Sequence, residues 1–195
     1  MIYDFQKSLL GLLLILLTGG QAAHAEEAHW VSSTHLGFAT VRRSTTGFES
    51  VSGSLVFLDT VRPFGDRIEI GLRTIAQGGE GSKSSYYRLG AGPLVSLKLE
   101  PHWRVHLAIA TFDEAVLDTS GSKLYRSRGR TAVIGWERSL RVAPRLEFSW
   151  GGFATLHEGD IKPTEGLSAS VNPFKKGQQN AGMSQGVEAA LRFSL

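Results

Sequence analysis

The chain has 195 residues, with 21 Lys and Arg against 18 Asp and Glu for a formal net charge of +3, and it carries 23 glycines and no cysteine. The lack of cysteine excludes a disulfide framework, thiolate metal sites and a lipid-modified N-terminal Cys. With no apolar run approaching the roughly 20 residues of a spanning helix, a helical membrane protein is excluded as well. The small positive excess is a mild bias toward anionic surfaces; no cofactor and no nucleic-acid partner is expected.

In chain order, the first feature is the apolar stretch Leu9 to Leu17, preceded by Lys7 and followed by Ala23, His24 and Ala25 in a small-x-small pattern. This reads as a secretory signal peptide over 1–25, cleaved near Ala25. Residues 26–195 are then enough for one domain and too few for two.

Within that domain three segments resemble one another: Pro63 to Ile70, Pro101 to Leu107 and Pro144 to Phe148, each a proline turn, an arginine and an alternating strand. Their spacing fits a meander of hairpins. Strands are expected at 35–43, 51–61, 67–77, 85–99, 104–112, 127–141, 145–156 and 183–195. Short turns at 62–66, 100–103 and 142–144 then fall on one rim, and longer polar connections at 44–50, 78–84, 113–126 and 157–182 on the other.

The strands alternate with a period of two, which puts one residue set on each face. Ile68, Ile70 and Leu72 oppose Glu69, Gly71 and Arg73; Leu89, Val95 and Leu97 oppose Arg88, Ser96 and Lys98. Ala132, Ile134 and Trp136 oppose Val133, Gly135 and Glu137; Phe148 and Trp150 oppose Glu147 and Ser149. A Lys or Arg at the centre of a lipid-facing band costs about 2–4 kcal/mol, so in a membrane the charged face is the inner one. The expected lumen set is Glu69, Arg73, Arg88, Lys98, Arg104, His106, Glu137, Glu147, Glu188 and Arg192. Interior charges must be paired, and a plug of ion pairs is preferred over an ion path.

The last nine residues keep this alternation, with Val187, Ala189, Leu191, Phe193 and Leu195 on one face. That terminal strand and the one-sided distribution of long connections resemble the small OmpA/OmpX-type eight-stranded outer-membrane proteins. One departure is that the family usually ends in Phe, whereas Leu195 closes this sequence. The resemblance implies an all-β, eight-stranded antiparallel up-and-down transmembrane β-barrel in the bacterial outer membrane. It also implies a terminal strand (Leu191, Phe193, Leu195) read by the insertion machinery, a monomer, and a structural or interaction role without enzymatic activity.

Two other classes are weighed against it. A soluble lipocalin-like carrier uses the same alternation with the apolar face inward. A lipid A-modifying hydrolase or acyltransferase of the outer membrane needs a hydroxyl nucleophile beside His and an acid. No His-x-Ser-Asn run is present, and His157 with Glu158 and Ser168 is the noncontiguous alternative. Asp113, Glu114 and Asp118, and Glu158 with Asp160, are read as solvated loop carboxylates rather than a Ca²⁺ site; Gly78 to Gly81 is read as a loop. Lys123, Arg126, Arg128 and Arg130, with Lys83, Arg88, Arg42, Arg43, Lys175 and Lys176, are placed at the long-connection rim, where lipopolysaccharide phosphates suit guanidinium forks. Tyr86, Tyr87 and Tyr125 are expected in an upper aromatic girdle and Trp103 near the lower rim.

Overall fold

The computed structural model describes residues 30–43, 51–81, 84–100, 102–165 and 176–194. The expected leader over 1–25 and Leu195 lie outside them. Eight strands follow in order: β1 Val31–Arg43, β2 Val51–Phe64, β3 Ile68–Glu80, β4 Ser84–Glu100, β5 Trp103–Asp118, β6 Lys123–Ala143, β7 Leu146–Pro163 and β8 Gln179–Ser194. Each pairs antiparallel with its chain neighbours, and β1 pairs with β8 from Val31↔Ser194 to Arg43↔Gly182, closing the ring.

The strands are longer than the sequence reading expects, chiefly at the long-connection end. Residues 113–126, which read as a polar loop, are the upper parts of β5 and β6 joined by a tight turn in which Gly121 has φ 82°. Residues 78–80 and Ser84, and from the expected connection 157–182 the parts 157–163 and 179–182, are strand in the same way. The charges that suggest a loop are cross-strand partners: Asp113 stands opposite Arg128, and Arg128 opposite Asp160. About 9–11 tilted residues cross a membrane, whereas β5, β6 and β7 have 16, 21 and 18. The surplus is sheet whose outward face is polar and continues beyond the apolar band.

Proline also departs from the expected placement. Pro63 lies within β2 opposite Glu69, with the turn confined to Gly65–Arg67 and Gly65 at φ 69°. Pro93 sits in the middle of β4. The β4–β5 ladder passes from Ala91↔Thr111 to Leu94↔Ala108 without pairing Gly92 and Pro93, and the register is unchanged across the gap. Proline has no N–H to give the ladder.

The apolar face points outward. Leu36, Phe38, Leu58, Leu72, Leu89, Ile134, Trp136 and Val187 are exposed, whereas Val133 and Glu137 are buried. This is the reverse of a lipocalin-like carrier. Trp103 lies outward near the short-turn rim against Trp136, with ring centroids 5.8 Å apart. The expected upper girdle is corrected: Tyr87 faces out, but Tyr86 and Tyr125 are buried inside the barrel mouth with Val116, Leu124 and Ile161.

Because Leu72 lies in the apolar band, Leu72→Arg should destabilise the barrel by about 2–4 kcal/mol, and Tyr87→Arg, nearer the polar rim, by about 0–1 kcal/mol. Equilibrium urea unfolding in phospholipid bilayers measures both; equal losses would misplace the band.

Candidate functional site

An eight-stranded barrel has an interior just wide enough for side chains to fill, and β5 shows how this one is filled. From the short-turn end its inward residues are Arg104 and His106, then Ala108, Ala110 and Phe112, then Glu114, then Val116, all buried. The lumen is therefore layered rather than charged throughout. An apolar cluster that includes Leu55, Phe57, Ile75, Leu94, Ala108, Ala110, Val133 and Phe153 lies between two polar groups, and its members Val31 and Val61 reach the short-turn end. The close approach of strands needs glycine on the inward face: a Cβ at Gly71 would lie 1.9 Å from the Thr60 carbonyl oxygen.

The polar group near the short turns brings together most of the predicted lumen residues. Arg192 donates to Glu69 at 2.5 Å, and Lys98, at the mouth with its side chain 34 % exposed, lies 3.2 Å from the same carboxylate. Arg104 bridges Glu147 at 2.7 Å and Glu137 at 3.3 Å. Glu137 also accepts from the Ser149 hydroxyl at 2.6 Å and lies 3.3 Å from His106 Nε2, whose Nδ1 is 2.9 Å from Ser96 Oγ. Glu188 lies 3.3 Å from His35 Nδ1; His35 Nε2 is 3.1 Å from Asp59, which takes both Nε and Nη2 of Arg73 at 2.8 and 2.7 Å. The Arg73 guanidinium also caps the Phe57 ring at 4.4 Å, joining this group to the apolar layer.

The second polar group lies toward the long connections. Arg88 donates to Glu114 through Nε at 3.0 Å and Nη2 at 2.6 Å, and Asn180 donates to the other Glu114 oxygen at 2.8 Å. Arg88 is thus an interior residue and not part of the basic rim, because its parity on β4 turns it inward.

The lumen residues that escape sequence reasoning include His35, Asp59, Glu114 and Asn180. β2 reads Leu55, Val56, Phe57, Leu58, apolar on both faces, so alternation carries no sign that Asp59 points inward. Glu114 falls in a stretch that reads as a loop, since its neighbour Asp113 is also acidic and the pair gives no apolar–polar contrast to mark a strand.

Ser96, His106 and Glu137 form a hydroxyl–imidazole–carboxylate series, but all three are enclosed, Ser96 being 1 % exposed. The noncontiguous triad fails on parity: His157 is buried in the lumen while its neighbour Glu158 points outward. Ser168 lies outside the described residues. Among the described residues no three His, Asp or Glu side chains are arranged to hold a metal.

At the long-connection end Lys123, Arg126, Arg128 and Arg130 all point outward on β6 and are exposed. Arg126 forms a two-point ion pair with Asp113, whose carboxylate Arg128 also reaches at 2.9 Å. Below them the outer wall has a groove of about 560 Å³ lined by Leu89, Ala91, Thr111, Asp113 and Arg128. In the adjoining turn the Ser120 hydroxyl, and then the Ser122 and Ser120 amides, hold the Asp118 carboxyl below its ordinary range. The expected rim residues Lys83 and Lys175, and the side chains of Arg42 and Arg43, lie outside the described set. Leu191 and Phe193 are outward and exposed on β8.

Removing one partner from a buried ion pair strands the other charge. Asp59→Ala should lower the unfolding free energy by about 3–5 kcal/mol. Asp59→Leu combined with Arg73→Met should lose much less, because no uncompensated charge remains. Urea unfolding of the three proteins in bilayers checks this, and a double variant as unstable as Asp59→Ala would contradict it.

No protein-family model matches the sequence, and no curated protein matches it. Among solved structures, the Neisserial surface protein A is 13% identical over 85% of this chain and 97% of its own, with a TM-score of 0.54. Ail, the attachment invasion locus protein of Yersinia pestis, is 13% identical over 85% of this chain and 99% of its own, at TM-score 0.46. The outer membrane protein OprG from Pseudomonas aeruginosa is 11% identical over 86% and 98%, at TM-score 0.44. With its closed ring of eight antiparallel strands and outward apolar face, the chain has the fold of the small eight-stranded outer-membrane β-barrels.

Proposed function

We propose that the protein is an exported, monomeric barrel of the bacterial outer membrane, released from a signal peptide at 1–25, with a structural or interaction role at the membrane surface and no enzymatic activity. Its short turns face the periplasm, and its terminal strand, through Leu191, Phe193 and Leu195, is the part handled by the insertion machinery. The lumen residues Glu69, Arg73, Arg88, Lys98, Arg104, Glu137, Glu147, Glu188 and Arg192 act as a structural plug. The apolar layer around Phe57 and Phe153 supports this over an ion path, since it interrupts the charged groups. The enclosure of Ser96 and His106 supports reading their contact as interior hydrogen bonding rather than nucleophilic chemistry.

The interaction we assign is with lipopolysaccharide, through Lys123, Arg126, Arg128 and Arg130. The observation that carries it is the outward row of three arginines on β6 directly above Ala132, Ile134 and Trp136, at the junction of polar sheet and apolar band. Phosphates of the glycolipid headgroup lie at that height, and guanidinium forks bind phosphate bidentately. The groove beneath Arg128 offers an adjacent acyl chain an apolar wall. Asp113 competes for the same guanidinium groups, so the rim is a partly neutralised cation surface rather than a bare one.

Two variants test this. Replacing Arg126, Arg128 and Arg130 with Gln should weaken binding of lipopolysaccharide to the folded barrel at low salt, and the difference should shrink in high salt as charges are screened over about 10 Å at 0.1 M. Asp113→Asn should strengthen binding, because it releases both guanidinium groups. Unchanged affinity in both variants, measured by titration in neutral detergent, would sink the assignment.

A further inference from the structure

The repeated proline-turn-arginine unit leaves a feature that neither the plug nor the upper rim uses. Of its three arginines, Arg104 turns into the lumen, while Arg67 and Arg145 stay in the turns and are exposed. Arg62 on β2 and Arg138 and Arg141 on β6 are exposed at the same end. None of these five forms an ion pair with a described residue, in contrast to Arg126 and Arg128 at the opposite rim, which share Asp113.

For Arg141 the pairing explains why. Arg141 stands opposite Glu147 across the β6–β7 ladder, but the Glu147 carboxylate is turned to Arg104 at 2.7 Å. The interior takes the carboxylate and leaves the rim its cation. Beside this cluster lie the aromatic side chains of a membrane interface: Arg138 stacks on Trp103 at 5.8 Å, and Phe148 stacks on Trp150 with centroids 5.8 Å apart. Arginine lying over exposed indole at the edge of an apolar band is suited to a phosphate at headgroup depth.

We propose that the short-turn rim, centred on Arg138, Arg141 and Arg145, is a binding surface for acidic phospholipid headgroups of the periplasmic leaflet. The ligand class follows from two features found together at Arg138, a guanidinium group without an ion-pair partner among the described residues and an adjacent aromatic belt that fixes the depth of a phosphate, while Arg141 at the lumen mouth and Arg145 in the turn add exposed cations at the same end. The proposal rests on the outer-membrane barrel reading and is independent of lipopolysaccharide contact at the other rim.

The protein carries its own reporter, since its four tryptophans, Trp30, Trp103, Trp136 and Trp150, all belong to the short-turn half of the barrel. The folded protein is placed in phosphatidylcholine nanodiscs doped with either brominated phosphatidylglycerol or brominated phosphatidylcholine, and tryptophan quenching is compared at low and high salt. Phosphatidylglycerol should be enriched at the rim by about fivefold for each arginine engaged, the Boltzmann factor of one basic side chain at an anionic surface. High salt should remove the preference. Arg138→Gln/Arg141→Gln/Arg145→Gln should abolish it, whereas the Gln triple variant at Arg126, Arg128 and Arg130 should retain it.

If loss of the Arg138–Trp103 contact prevents folding, Arg141→Gln/Arg145→Gln alters only exposed side chains and should reduce the preference by itself. Heat-modifiable gel mobility verifies the folded state of each. Absence of a phosphatidylglycerol preference in the unaltered protein, or its persistence in the folded variants, overturns the proposal. Binding of purified peptidoglycan sacculi that depends on these arginines, without lipid preference, overturns it in favour of an acidic peptide partner.

Discussion

A backbone amide in hydrocarbon has no water to bond, so every N–H and C=O must find a partner in the protein. For strands the solution is a ring without edges, here closed by the β1–β8 ladder. Closure at eight strands fixes the interior at a width that side chains fill, and hence turns every inward residue into a packing and electrostatic problem. The glycines facing inward, the buried arginines and the layered lumen all follow from that geometry.

The interior solves this problem in two ways at different depths. Where Phe57, Leu94, Val133 and Phe153 meet, burial is apolar and needs no pairing. Where charges are retained they are linked: Asp59 serves His35 and Arg73, Glu137 serves Arg104, His106 and Ser149, and Glu69 serves Arg192 and Lys98. Buried ion pairs are a weak source of net stability but a strong penalty for disruption, so the loss of any one partner in the network strands a charge in the interior. Its demand for carboxylates is felt outside the lumen, since Glu147 is drawn to Arg104 and leaves Arg141 at the rim.

The two rims thereby acquire different characters. On the long-connection side the strands of β5–β7 extend past the apolar band, and their outward charges satisfy one another in part through Asp113. On the short-turn side the arginines stand beside tryptophan and lack such partners among the described residues. A barrel with the same fold and a different charge pattern would present different surfaces to the two leaflets, which is why function is carried by these side chains rather than by the fold.

Strand number, up-and-down order and the sorting of faces are legible in the sequence, because a two-residue period and a lipid surround leave few alternatives. Ile68–Arg73 and Ala132–Glu137 sort into inward and outward sets by alternation alone. Strand ends are not legible: polar alternation above the band, as in Asp113 and Glu114, resembles a loop until cross-strand partners supply the reason for it. The partnerships are also hidden. Arg88 with Glu114, His35 with Asp59 and Glu188, and Arg192 with Glu69 join residues up to 153 positions apart. Local alternation fixes which side of the sheet a residue faces, but only closure and stagger of the ring decide which side chains meet inside it, because those depend on the register of all eight ladders at once.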